Sequence, residues 1–230
     1  DINALDDFDM NPAMVSLIEK NPVQDPQTFP YPLPEFSDPT DWIPLLIELG
    51  TDIHHVGAQD FTLLHFLAAA AKSPTVLDAL GPSVDLNPVN AISATPIHLA
   101  IQYRNTVSAA WLMDHGVRPS LESLAVYPNP DILKLLLSYG ADPKFANMMV
   151  DLLGQLRILT PDMYEFNQET VEPVLESIQI LLDFGVDPLD DTLFNHTPWQ
   201  RAKDIQCAPC LELFSEVLIQ RAAYLVSNAH

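Results

Sequence analysis

Apolar residues recur along the chain in short runs with helical spacing, and polar turns separate the runs. Leucine and alanine dominate these runs, whereas the alternation typical of strands is rare. The pattern therefore predicts an all-α protein. A short helix is expected around Ala13–Glu19, and further helical segments near residues 41–49, 62–80, 96–115, 121–139, 145–184 and 198–225.

The predicted helices begin with a repeated signature. Thr95 precedes Pro96, where a hydroxyl can accept from the free amides of the first turn and proline lacks only a donor that would have no partner. His98 then falls in the first turn, and we expect it to bond back to the preceding loop. The same layout occurs 33 residues earlier, at Thr62 and His65. We predict that both histidines are buried and stabilise the fold rather than act in catalysis.

The predicted helices also share their ends. Leucine-rich runs stop at Gly50, Gly116, Gly140 and Gly185, and an aspartate commonly follows two residues after the glycine. A period of 33 with T-P-x-H opening one helix and L-L-x-x-G-A-D closing the next resembles the ankyrin repeat. The resemblance covers roughly residues 41–220, fades at Leu121–Ala125, and does not include residues 1–40.

The resemblance implies an ankyrin-like helical solenoid of about five to six helix pairs, some of them degenerate. Residues 41–230 are expected to form the repeat domain, and residues 1–40 an N-terminal helix and a Pro-rich capping segment of the same structural unit. Residues 21–40 hold six prolines, which exclude a helix. Apolar residues punctuate this segment, so we predict that it covers the Trp42–Leu49 helix. A disordered tail is the alternative.

Charge narrows the class of partner. The formal net charge is −21, and residues 21–71 and 158–200 contain no lysine or arginine. The acidity either keeps the protein dispersed or forms a surface for a basic partner. Nucleic acid and anionic membranes are disfavoured, because both require lysine and arginine. No apolar run reaches the ~18 residues of a membrane span.

Candidate chemistry is sparse. His54 and His55 beside Asp52 form an incomplete metal site, since no further ligands stand at a known spacing. Cys207 and Cys210 form a C-x-x-C, but without the strand that precedes such a motif in redox proteins. The nucleotide-binding and hydrolase motifs are absent from the sequence. We expect no cofactor, and two cysteines favour a reducing location, cytoplasmic or nuclear, or delivery into a host cell.

Three functions remain open. The resemblance favours a protein–protein interaction module that binds through repeat turns and concave helices. An acidic inhibitor that masks a basic enzyme or toxin is the alternative, and an enzyme on an ankyrin-like scaffold is a third.

The predicted binding surface is an apolar strip with an acidic rim at the turns, although its apolar side chains could instead fold back onto neighbouring repeats. The candidate partner-binding residues are Asp52, Ile53, His54, His55, Asp60, Phe61, Asp85, Leu86, Val89, Asn90, Gln102, Tyr103 and Arg104. The candidate structural residues are Thr62, His65, Thr95, Pro96, His98, Gly116, Gly140 and Gly185.

Overall fold

The structure is a computed structural model that describes residues 1–7, 9–17, 39–118, 129–144, 148–159, 168–190 and 196–228, with the backbone alone at 157–159 and 168–170. The chain divides into two compact units, Asp1–Arg118 (unit 1) and Pro119–His230 (unit 2). Most of the predicted capping segment and the predicted helix start at 121–128 lie outside the described residues.

The prediction of an all-α fold is confirmed. The described residues contain eleven α-helices: α1 (Pro12–Leu17), α2 (Ile43–Glu48), α3 (Leu63–Ala70), α4 (Pro74–Asp78), α5 (Pro96–Gln102), α6 (Thr106–Asp114), α7 (Pro130–Ser138), α8 (Met148–Leu159), α9 (Gln168–Asp183), α10 (Pro198–Asp204) and α11 (Ala208–Ser227). Extended pairing within the described residues is limited to one antiparallel bridge between Val56 and Thr62.

In unit 1 the first helices of successive pairs pack side by side, α1 on α3 and α3 on α5. Every residue of α3 is buried, so this helix is the centre of the core. Burial of each large aliphatic or aromatic side chain contributes about 1.5–3 kcal/mol. The second helices α4 and α6 pack together, and the Trp111 indole N–H donates to the Asp78 carboxylate across them at 2.7 Å.

Unit 2 repeats this layering. Helix α8 packs on α10 in one layer, while α9 packs on both α7 and α11 in the other. Helices α8 and α9 pack on each other, as do α10 and α11, so each pair of chain neighbours is also a pair in space. Unit 1 contains the three pairs α1–α2, α3–α4 and α5–α6, and unit 2 adds the single helix α7 to its two pairs. The described helices therefore agree with the predicted five to six pairs.

The glycines that end the helices adopt the left-handed conformation that side chains disfavour. Gly116 has φ +91°, and the amide of Val117 bonds back to the Leu112 carbonyl at 3.0 Å, which satisfies an end carbonyl of α6. The same geometry ends α2, α7 and α9 at Gly50, Gly140 and Gly185.

Helix α1 packs on α3 as α3 packs on α5, so it lies in the layer of first helices, although the sequence prediction placed residues 1–40 outside the repeat domain. The Asn11 side chain accepts from the Met14 amide at 3.1 Å, so Asn11 caps α1 as a threonine would. The sequence does not show this likeness between α1 and α3 as a 33-residue repeat, because the chain between α1 and α2 is long. Helix α3 consequently begins 51 residues after α1. The Asn11-Pro12 pair, a capping residue before a helical proline, was the available signal.

Candidate partner-binding surface

Unit 1 presents three turns that share their hydrogen bonds, which we call finger 1 (residues 1–10, of which residue 8 is not described), finger 2 (52–61) and finger 3 (85–94). In finger 2 the Gly57 amide donates to the Phe61 carbonyl at 2.8 Å, and the Asp60 amide donates to the Gly57 carbonyl at 3.1 Å. The equivalent bonds join Asp6, Asp9 and Met10 in finger 1 and Asn90, Ser93 and Ala94 in finger 3. Each finger therefore ends in the same tight turn just before an inner helix.

Each finger also begins with the same aspartate turn. The carboxylates of Asp1, Asp52 and Asp85 accept from the amide two residues ahead, at 3.0, 2.9 and 2.9 Å. Asp142 and Asp187 make the same bond in unit 2. Asp52 and Asp85 of the predicted acidic rim are thus also turn-forming residues, with one carboxylate oxygen engaged locally.

Hydrogen bonds join the fingers into a continuous row. Asn3 of finger 1 donates to the Gly50 carbonyl at 3.0 Å and accepts from the Asp52 amide at 2.8 Å. Finger 2 in turn holds finger 3, because the Ala91 amide donates to the Gln59 carbonyl at 2.9 Å. The three fingers consequently present one surface rather than three separate loops.

An exposed apolar residue occupies the same position in every finger, directly before the tight turn. These residues are Leu5, Val56 and Val89, with 49%, 48% and 58% of their surface exposed. We call them the apolar ladder. Val89 was predicted from the sequence, whereas Leu5 and Val56 were missed because finger 1 was not recognised and Val56 was not compared with Val89, 33 residues later. Ile92, at the tip of finger 3, is exposed beside them.

Two predicted contact residues are buried, which corrects the sequence-based assignment. Phe61 is 3% exposed and lies with its ring 5.4 Å from those of His65 and Phe66. Asn90 is equally buried, and its side-chain oxygen accepts from the Ile92 and Ala94 amides. Both side chains are buried beneath their finger and stabilise it, so neither is exposed for contact with a partner.

The remaining predicted contacts divide into two groups. Ile53 and Leu86 are half-buried, and His55 donates to the Asp9 carbonyl at 2.6 Å, so these side chains partly serve the packing between fingers. Exposed His54 lies 3.4 Å from the Ser83 hydroxyl. Gln102, Tyr103 and Arg104 follow or end α5, about 10 Å from the fingers along the seven-residue helix. They lie outside the finger row.

His65 is fully buried, and its hydrogen bonds define its tautomer. The Thr62 amide donates to Nδ1 at 3.1 Å, so the proton resides on Nε2, which donates to the Ala94 carbonyl of finger 3 at 3.2 Å. Desolvation by burial lowers the pKa of His65 from 6.5 to about 4. Half-buried His98 makes the equivalent bond to the Thr95 amide at 3.2 Å.

The electrostatic character of the row is uniform. The three fingers contain seven aspartates and no lysine or arginine. Exposed Asp60 follows Val56 by four residues in finger 2, and exposed Asp85 precedes Val89 by four residues in finger 3. An apolar centre with acidic surroundings attracts a surface that combines apolar side chains with lysine or arginine.

Alternative chemistries find little support. Across the described ranges, no group of three or more histidine, cysteine, aspartate or glutamate residues is placed to hold a metal ion. None of the described helices is long and apolar enough to cross a membrane. Cys207 and Cys210 are joined in a disulfide at the start of α11, so the two cysteines give no support to the expected reducing compartment.

Comparison with solved structures identifies the fold. The ankyrin repeat domain of Bcl-3, described as a unique member of the IkappaB protein family, matches with a TM-score of 0.61 over 94% of this chain and 86% of that chain, at 15% sequence identity. No family model matches the sequence, and no curated protein does. The fold is therefore that of an ankyrin repeat solenoid, as the sequence motifs predicted.

Proposed function

We propose that the protein is an interaction module whose finger row binds a partner protein that presents apolar side chains among lysines and arginines. The observation that carries the proposal is the apolar ladder, because three consecutive fingers expose an aliphatic residue at one equivalent position. Loop tips are ordinarily polar, and packing alone does not explain a repeated apolar position when about half of its surface faces solvent.

The surrounding charge supports the second half of the proposal. The finger sequences contain seven aspartates and neither lysine nor arginine, which favours a negative potential along the row. Such a potential accelerates encounter with a basic surface, whereas the apolar contacts determine how long the complex lasts. Affinity should accordingly decrease as salt concentration rises, mainly through slower association.

The test is affinity capture from cell lysate with the wild-type chain and with the double variant Val56→Asp/Val89→Asp. Both positions are exposed, so the variant should fold, while carboxylates placed in a desolvated apolar contact should weaken binding at least ~100-fold. Leu45→Asp is the matched control, because Leu45 is 53% exposed on α2 and outside the fingers.

A protein retained by the wild type and the control but lost by the double variant is then purified and its affinity measured at low and high salt. Retention by the folded double variant would exclude the finger row as the binding surface. If the captured protein is a basic enzyme, its activity in the complex separates an inhibitor from a module that binds without inhibiting.

A further inference from the structure

The last helix extends beyond the body of unit 2. Helix α11 spans 20 residues and buries Cys210 and Phe214 in its first half. From Ala222 to Asn228, every residue is exposed. We call residues 219–228 the α11 overhang. Within the described part of unit 2, Asp187 reaches Arg221, but the turns from Ala222 onward are left exposed.

One helical face of the overhang is entirely apolar, and Tyr224 and Leu225 outside this face are also 69% and 68% exposed. Ile219 and Val226 are 68% and 69% exposed, and Ala222 and Ala223 lie between them at the i, i+3, i+4, i+7 spacing of a single face. Two aliphatic residues around a pair of small ones form a surface that another helix can approach closely.

The overhang is also the neutral part of a strongly acidic chain. The last acidic residue is Glu216, so residues 217–230 contain none, although the net charge of the chain is −21. The single cation there, Arg221, is already paired with Asp187 at 2.6 Å. A basic partner gains nothing at this face, whereas a second copy of the chain meets less repulsion here than along its acidic surfaces.

We propose that the α11 overhang pairs antiparallel with the overhang of a second copy. With the two-fold axis between Ala222 and Ala223, Ile219 of each copy faces Val226 of the other. The two Glu216 carboxylates then lie about 20 Å apart along the helix axis, beyond the screening length of about 8 Å at physiological salt. The same surface of both copies is thereby self-complementary, as a two-fold interface requires.

The interface is small, which sets the expected strength. Two helical turns contribute on the order of 400 Å² per chain, well below the ~800 Å² per partner of a standard interface. The dimer should therefore be weak, with a dissociation constant of roughly 100 µM.

Sedimentation equilibrium between about 10 and 500 µM protein tests the proposal, at low and at high salt. We expect the average mass to rise toward twice the monomer, and the dimer to strengthen at high salt because screening reduces repulsion between two acidic chains. The proposed binding of a basic partner has the opposite salt dependence, so either proposal can fail without the other. A monomer at every concentration and salt would overturn the pairing.

Two variants of equal charge locate the contact. Ile219→Asp places a carboxylate in the pairing face and should weaken the dimer at least ~10-fold. Gln220→Asp adds the same charge to an exposed neighbour outside that face and should change the dissociation constant less than about threefold. Equal effects of the two substitutions, or none from Ile219→Asp, would show that the chains do not associate through this face.

Discussion

The acidic turns of the two units share one construction and differ in their surroundings. Asp85 in unit 1 and Asp187 in unit 2 each accept the amide two residues ahead. Asp187 is also paired with Arg221 at 2.6 Å, whereas the fingers of unit 1 contain no lysine or arginine. Among the described residues, Asp187 of unit 2 therefore forms an ion pair, whereas Asp85 of unit 1 forms none.

This compensation extends over the acid-rich part of unit 2. Lys144 reaches Asp190 and Lys134 reaches Glu176, both at 2.9 Å, and hydrogen bonds to these carboxylates raise the pKa of each lysine. Exposed pairs contribute little to stability, but they neutralise the local field. Of the two segments without lysine or arginine, residues 21–71 include finger 2, whose aspartates form no ion pair within the described residues, which favours unit 1 as the partner-binding region.

The units also differ in how their first helices are capped. In unit 1 the amide of Thr62, just before α3, donates to the ring of His65. In unit 2 the equivalent amide, that of Thr197 before α10, donates to the Gln200 side chain at 3.0 Å. Glutamine does not titrate, so the bond to Gln200 should be independent of pH, whereas the bond to His65 should depend on it.

The largest expected effect follows from that difference. In the unfolded chain His65 binds a proton below about pH 6.5, but in the folded protein it does so only near pH 4. The stability that depends on neutral His65 is therefore complete above pH 6.5 and is lost as the pH falls toward 4. We expect a loss of about 3 kcal/mol in the opening free energy of α3 and α5, measured by hydrogen exchange.

His65→Gln is the matched variant, because Gln200 shows that this chain accepts glutamine at the capping position. The variant should be less stable at pH 7, since it loses the bond to Ala94, but its stability should vary less between pH 6.5 and 4. Carboxylates titrate in the same range in both proteins, so the difference between the two curves isolates His65. Parallel curves would contradict the assignment.

Local patterns predicted the helix architecture, whereas exposure depended on distant contacts. Thr95-Pro96 and the glycine after α6 mark helix ends because capping involves only residues a few positions apart. The repeat formed by α1 was not recognised, because the long connection to α2 removed the period on which the comparison relied. Phe61 and Asn90 were assigned to the surface because a turn sequence alone does not show which of its side chains face the next repeat.

The intermediate effect compares the two equivalent aspartates directly. Asparagine retains the oxygen that accepts the turn amide, so Asp85→Asn and Asp187→Asn remove charge while preserving the turn. Loss of the half-buried pair with Arg221 should cost about 1 kcal/mol in Asp187→Asn. In Asp85→Asn the free energy of unfolding should change by less than about 0.5 kcal/mol.

Chemical denaturation of both variants checks this prediction. An equal loss in the two variants would mean that the turn, rather than the ion pair, is the sensitive feature. The partner assay gives the opposite ranking, because Asp85→Asn should slow association and Asp187→Asn should leave it unchanged.

The smallest expected effect concerns the fingertips of unit 1. Four helices end at a glycine with positive φ, but the fourth residue of the tight turn is Asp9, Asp60 or Ser93, with φ between 58° and 62°. A side chain in this conformation costs about 1–2 kcal/mol, which a substitution by glycine removes. Glycine also makes the unfolded chain more flexible, and this effect offsets about 0.5–1 kcal/mol of the stabilisation. Ser93→Gly should therefore raise stability by about 0.5 kcal/mol.

Ala91→Gly in the same finger is the control, because Ala91 does not have a positive φ. It increases the freedom of the unfolded chain without relieving strain, so it should lower stability by about 0.5–1 kcal/mol. The two substitutions thus have opposite signs if the fingertip is strained, and denaturation midpoints resolve that sign even where each shift is small. A loss of stability in both variants would show that the serine side chain stabilises finger 3 by more than its backbone strain costs. The non-glycine residues at the fingertips would then be explained by packing, independently of partner binding.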